Sequence, residues 1–220
     1  MADPPRLDWR RPQQARSRAA LHRMLEATEQ LLAERHFGNL SVQDIVARAK
    51  SSVGAFYRQF GDKQGLMDAL EERYREERAS TLETFGEQRW ASVALEGRIR
   101  AFVEFAIRAN RERIGLFRAM WLRAWGAAPA RPEGSTAFTP ADTYTTFLLA
   151  RRDEIRHPRP ERAVRVGVMA VILLANQLTL FDYTRSAISV VPGSDEELVE
   201  ELTHLLYGYL VRPSATPDGS

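Results

Sequence analysis

The chain reads as an all-α protein, a three-helix head with a helix-turn-helix followed by a six-helix body. Three observations predict this. Apolar residues recur at three- and four-residue spacing through most of the 220 residues, and no segment alternates with strand periodicity for long. Two short helical stretches flank a tight break at Lys50-Ser51-Ser52. The composition, 44% hydrophobic and 27% charged, is that of an ordinary globular chain.

Residues 1–14 contain Pro4, Pro5, Pro12 and several arginines and read as a flexible basic arm. The first helix follows, with Leu21, Met24, Leu25, Thr28, Leu31 and Leu32 on one stripe and Phe37 closing it. Val42, Ile45, Val46 and Ala49 mark a short second helix. Ser41 stands before it as a cap, and Asp44, three residues on, makes a variant of a capping box. In the third helix Val53, Phe56 and Phe60 point one way. A long helix starts at Asp62 and runs through Leu66, Met67, Leu70 and Tyr74, with a solvated Glu/Arg-rich surface to Arg78. Further helices are expected over 94–110, 114–125, 140–156, 160–183 and 195–211, with a loop over 126–139. Pro160 suits a first helical turn. Ser194 and Glu197 form a capping box for the last helix. The division implied is a 1–14 arm, a 15–65 helix-turn-helix head, a 66–211 helical body and a 212–220 disordered tail.

Charge distribution says more than the net +2. Residues 1–65 hold 11 Lys and Arg against 7 Asp and Glu, or +4; the rest holds 20 against 22, or −2. A basic N-terminal third is the footprint of a nucleic-acid-binding head. The two lysines, Lys50 and Lys63, lie in or beside the helix-turn-helix. Cysteine is absent, which excludes disulfides and thiolate metal sites and suits a reducing cytoplasm. Met1 to Pro12 has no apolar core, so it does not read as a signal peptide. The most apolar stretch, Val164 to Phe181, contains Arg165, Asn176 and Gln177 and is closed by Asp182, which favours a buried bundle helix over a membrane span.

The segments LLAERHF, LSVQDIVARA and SSVGAFYRQFGDKQGL resemble the DNA-binding domain of TetR-family transcriptional regulators, over roughly residues 18–70. A Gly-x-Phe-Tyr-x-x-Phe recognition helix followed by Asp-Lys is a specific combination. The family usually has glycine where this chain has Lys50. A left-handed lysine there carries a strain on the order of 1 kcal/mol. The resemblance implies that Tyr57 donates to a backbone phosphate and that Lys63 contacts another. Ser52, Val53, Gly54, Ala55 and Arg58 would face base edges or phosphates, with small Gly54 and Ala55 permitting close approach to the groove floor. Ser41 is a further candidate phosphate donor, and Arg11 of the basic arm with Arg16 and Arg18 just after it are candidates for extra phosphate or minor-groove contact.

The body is unusually rich in bulky aromatic residues. Phe102, Phe105, Phe117, Met120, Trp121, Tyr144 and Phe147, with the polar Asn176 and Gln177, are the candidates for an apolar effector cavity. A packed core is the competing reading of each residue. Enzyme signals are poor. His22, His36, His157 and His204 have no metal-ligand spacing, and Gly61-Asp62-Lys63 lacks the residues of a phosphate-cradling loop. No cofactor or metal is implied. The expectation is a repressor, bound as a homodimer to a palindromic double-stranded DNA operator and released by a small hydrophobic or aromatic effector, in the cytoplasm and away from membranes. The alternative is a DNA-associated structural or ligand-independent regulatory protein.

Overall fold

The computed structural model describes residues 15–86, 88–126, 141–180 and 193–212. The arm over 1–14, most of the expected loop over 126–139 and the tail from 213 lie outside the described residues. Those described are helical with no strand. The α-helices are α1 (Ala15–Glu34), α2 (Val42–Arg48), α3 (Val53–Phe60), α4 (Lys63–Glu83), α5 (Leu95–Glu112), α6 (Ile114–Gly126), α7 (Ala141–Leu149), α8 (Pro160–Leu180) and α9 (Asp195–Val211). Short 3-10 turns occupy Phe37–Asn39, Thr84–Gly86, Gln88–Trp90 and Arg152–Glu154.

Contacts divide these helices into two compact units. One holds the described residues through Arg78 together with α6; the other holds those from Ala79 to Glu112 and from α7 onward. The compact head is therefore larger than the 15–65 segment marked by sequence pattern, because α4 and α6 pack into it.

In the head unit the stripe Leu21, Met24, Leu25, Leu31 and Leu32 of α1 is buried with Ile45 and Val46 of α2, Phe56 and Phe60 of α3, and Leu66, Met67 and Leu70 of α4. Truncating any such leucine to alanine typically costs about 2–5 kcal/mol. Thr28 sits in the same stripe fully buried, its hydroxyl donating to the Met24 carbonyl at 2.7 Å. Two glycines set how closely elements approach. A Cβ on Gly65 would lie 2.1 Å from the Phe60 carbonyl oxygen, and one on Gly115 of α6 would lie 2.2 Å from the Leu32 carbonyl oxygen of α1.

In the second unit α5, α7, α8 and α9 share a core that includes Leu95, Ile99, Phe102, Phe147, Leu148, Val164, Val168, Val171, Leu202 and Leu206. The helix expected over 140–156 stops at Leu149, and a turn and the 152–154 3-10 segment follow. Tertiary hydrogen bonds outcompete helix continuation there. The Glu154 carboxylate accepts the Leu95 N–H at 2.9 Å and so caps α5, while the Arg151 guanidinium donates to the Val93 carbonyl at 2.9 Å. The N–H groups of Arg156 and His157 both donate to the Leu210 carbonyl at the end of α9. At the start of α9, Ser194 accepts the Glu197 N–H as expected, but the Glu197 carboxylate reaches to the Gly193 N–H instead of that of Ser194. Gly167 of α8 packs closely within the chain: a Cβ there would meet Leu206 Cδ1 of α9 at 2.3 Å. Among the described residues α8 is long and apolar enough to cross a membrane, yet its inner face is buried in this core.

Candidate nucleic-acid interface and effector site

The break between α2 and α3 is a complete C-terminal cap. Lys50 takes the left-handed conformation, φ 48°. Its N–H donates to the Ala47 carbonyl at 3.2 Å, and the next N–H, of Ser51, donates to Val46 at 2.8 Å. These are the paired bonds of a Schellman motif, with lysine where glycine is easiest. Ser52 then caps α3 by accepting the Ala55 N–H at 3.2 Å. The helix-turn-helix is thus fixed by backbone and cap hydrogen bonds as well as by its apolar face.

That face is Phe56, Gln59 and Phe60, all buried. Val53, expected on the stripe with Phe56 and Phe60, is exposed instead, as are Ser52, Gly54, Tyr57 and Arg58, and Ala55 is half-buried. Tyr57 is 51% exposed, its ring held edge-on against Phe56 with centroids 5.5 Å apart. Among the described residues nothing lies within 4 Å of a Cβ built on Gly54, so packing among them does not explain the glycine. Arg18 is exposed on α1; the side chain of Arg16 lies outside the described residues.

Two candidate phosphate ligands have structural work as well. Ser41 accepts the Asp44 N–H at 3.1 Å and donates its own hydroxyl to Asp44 Oδ2 at 2.8 Å, while its N–H donates to the same oxygen. The capping box is formed, and the Ser41 hydroxyl proton is engaged by it. These Ser41 bonds, and Arg35 nearby, hold the Asp44 carboxyl below the usual aspartate range. Lys63, which the resemblance implies as a phosphate contact, is partly buried. Its ammonium donates to the Phe37 carbonyl at 3.1 Å and the Leu40 carbonyl at 2.6 Å and stands 4.8 Å over the Phe37 ring. It ties the 37–39 turn to the start of α4, where Asp62 caps the helix by accepting the Gly65 N–H at 2.8 Å.

The nine effector candidates fall into three groups. Phe102, Phe105, Tyr144 and Phe147 form one aromatic cluster around Phe85, with Phe85 to Phe147 at 4.8 Å and Phe102 to Tyr144 at 4.4 Å. Phe102 and Tyr144 pack as core. Phe147 also lines a cavity of about 590 Å³, walled by Phe85, Trp90 and Arg98 and edged by Asp142, Thr143 and Thr146. The Trp90 indole donates to the Thr84 carbonyl at 2.7 Å, and buried Arg98 donates to the Phe147 carbonyl at 2.8 Å. Burial pulls the Arg98 pKa below the ordinary arginine value. The second group is polar: Asn176 accepts from Asn110 at 3.0 Å, and Asn110 also donates to Thr179 at 2.8 Å, bridging α8 and α5. Gln177 is exposed on α8. The third group, Phe117, Met120 and Trp121, lies on α6 in the head unit, with Phe117 edge-on to Tyr74 at 5.0 Å. Phe85, Trp90 and Asn110 were not singled out from sequence. Phe85 and Trp90 sit in short 3-10 turns that helical periodicity does not detect.

Residues 24–70 match the family model of bacterial regulatory proteins of the tetR family. Among solved structures, a TetR-family transcriptional regulator from Pectobacterium atrosepticum is similar at 21% identity with TM-score 0.59, over 92% of this chain and 100% of that one. Salmonella enterica GusR is similar at 22% identity with TM-score 0.54, over 87% and 95%. A tetR-family regulatory protein from Rhodococcus RHA1 has TM-score 0.59 at 16% identity, over 87% and 96%. These likenesses are of fold. No curated protein matches the chain significantly.

Proposed function

We propose that the chain, whose residues 24–70 match the tetR family model, is a DNA-binding transcriptional regulator of that family, a homodimeric repressor that leaves a palindromic operator when a small hydrophobic effector binds. The observation that carries this reading is the outer face of α8 and α9. Val166, Met169, Leu173 and Leu174 of α8 and Leu205 and Tyr209 of α9 are exposed large apolar residues, although the other sides of both helices are buried in the chain's own core. A helix serving a monomer buries one stripe. A second copy covers the remaining face, and two-fold symmetry presents two α3 helices to consecutive major grooves. Ser52, Val53, Gly54, Ala55, Tyr57 and Arg58, with Arg16, Arg18, Ser41 and Lys63 at the flanks, would make the DNA contacts.

The aromatic-walled cavity beside Phe147 is the effector site this reading favours. Its volume is in the range of small-molecule sites, and its few polar groups, Arg98, Asp142 and Thr146, would orient a ligand. The effector would favour a conformation in which the paired heads no longer match the operator spacing. The protein would act on chromosomal DNA in the cytoplasm, without a catalytic step.

Sequences enriched from a random duplex pool test the operator half of the reading: they should be palindromic, and asymmetric single sites would refute it. A panel of apolar compounds screened against the enriched duplex tests the other half. A true effector should release DNA and change tryptophan emission, and Trp90→Phe should remove much of the change. Release that persists undiminished after the cavity is narrowed by Thr146→Trp would place the effector elsewhere.

A further inference from the structure

We propose that the head unit carries a second ligand site, a cleft among α1, the 37–39 turn, α4 and α6 that takes an amphipathic organic anion and alters DNA binding when filled. It is separate from the cavity beside Phe147 and does not depend on the repressor reading.

The cleft has a volume of about 580 Å³, large enough for a small organic molecule. Gly38 on its wall leaves open space where a Cβ would stand, and Gly115 lines it from α6. Its floor is apolar: Leu32, Phe37, Ala119 and Leu122. Leu122 is 47% exposed, so apolar surface is left facing the cleft. The charged groups that line it are Arg35, Arg118 and Arg123, with no carboxylate among the lining residues. Arg123 pairs with Asp68 and Glu71 of α4, which fixes its guanidinium at the wall. Arg35 pairs only loosely, at 3.6 Å, with Asp44, whose carboxylate already serves Ser41. Guanidinium groups around an apolar floor suit a carboxylate or sulfonate carrying an alkyl or aryl body.

The same wall reaches the DNA-reading apparatus. Phe37 lines the cleft, and its carbonyl and ring both hold the Lys63 ammonium. Gln64, the next residue of α4, also lines it. Lys63 follows closely on Gly61, which ends α3. A molecule seated against Phe37 and Gln64 therefore bears on the joint that sets the recognition helix on α4. Coupling of this kind is reciprocal, so operator DNA should change the anion's affinity by the same factor.

The chain has no cysteine, so Gln64→Cys supplies a unique thiol for an environment-sensitive dye on an exposed residue of the cleft. Decanoate, titrated into the labelled full-length protein, should shift the dye emission saturably at or below millimolar concentration, and decanol should not. The charge-removing pair Arg35→Gln and Arg118→Gln should weaken the response about tenfold or more. Gly38→Leu should weaken it by filling the cleft, since a Cβ there meets nothing within 4 Å and the fold should survive. Calorimetry of the unlabelled protein checks that the dye does not create the site. No saturable shift, an equal response to decanol, or a response unchanged in both variants would overturn the site. A saturable shift with operator affinity unmoved would overturn the coupling.

Discussion

The Lys63 ammonium donates to the Leu40 carbonyl oxygen at 2.6 Å, and this bond joins the turn after α1 to the helix that follows α3. A carbonyl held by a charged donor in a half-buried place contributes roughly 1.5–3 kcal/mol. The ammonium has three N–H groups and spends two on Leu40 and Phe37. One remains for a phosphate.

Lys63→Ala should therefore do two separable things. It should lower thermal stability by a few degrees, on the order of 2–4 °C per kcal/mol for a chain of this size. It should also weaken binding to all sequences alike and reduce the salt slope by about one unit. Melting curves and gel shifts across salt concentrations read the two effects independently. An unchanged melting temperature would contradict the tie to the turn, and an unchanged slope would remove Lys63 from the phosphate contacts.

Lys50 offers a gain. Its φ of 48° is strained for any residue with a Cβ. Lys50→Gly should raise stability by up to about 1 kcal/mol, less the entropy glycine adds to the unfolded chain. Lys50→Val should destabilise clearly, because a β-branched side chain tolerates this region worst. Urea midpoints compare the three, and an order other than Gly, Lys, Val would refute the strain.

The glycines separate packing from access. Gly65→Ala and Gly115→Ala each place a methyl near 2 Å from a backbone carbonyl, so both should destabilise the head by several kcal/mol or prevent folding. Gly54→Ala meets open space within a helix and should stabilise by roughly 1 kcal/mol. If Gly54 is kept for closeness to the groove floor, that more stable variant should bind operator more weakly. Undiminished affinity would leave the glycine without a role in recognition.

How much of this was legible in the sequence depended on the distance over which each contact acts. The buried stripe of α1, the Ser41–Asp44 cap and the αL strain at Lys50 are local, so spacing and residue type exposed them. The second role of Lys63 joins residues 23 and 26 positions apart, and the Gly115–Leu32 approach joins α6 to α1. No periodicity carries such information. The bulk of Phe102 and Tyr144 was visible, but whether bulk fills a core or lines a cavity depends on Phe85 in a short 3-10 turn. The phosphate and base contacts proposed for α3 rest on its exposed face.

Acid should loosen α2 in a defined window. Bonds from Ser41 lower the Asp44 pKa in the folded chain below its ordinary 3.8. A depressed carboxyl contributes stability that is present above the unfolded value and lost as pH falls through the folded one. The stability difference between the unmodified protein and Asp44→Asn should thus be constant near neutral pH and shrink below about pH 4. Denaturant titrations at several pH values test this, and a difference independent of pH down to acid unfolding would contradict it.

The outer face of α8 and α9 gives the last prediction. Leu174 and Leu205 are exposed, so arginine at either position keeps its charge in water and leaves the chain's own core intact. Leu202 and Leu206 are buried beside them, and arginine there should unfold the second unit by burying an unpaired charge. If a second copy covers the outer face, Leu174→Arg or Leu205→Arg should yield folded monomers with near-normal melting and much weaker operator binding, although α3 is untouched. A palindromic site then loses the contribution of its second half. Light scattering at micromolar concentration decides the matter. An unmodified protein that is already monomeric there would overturn the symmetric mechanism, and a Leu205→Arg dimer would move the interface to another face.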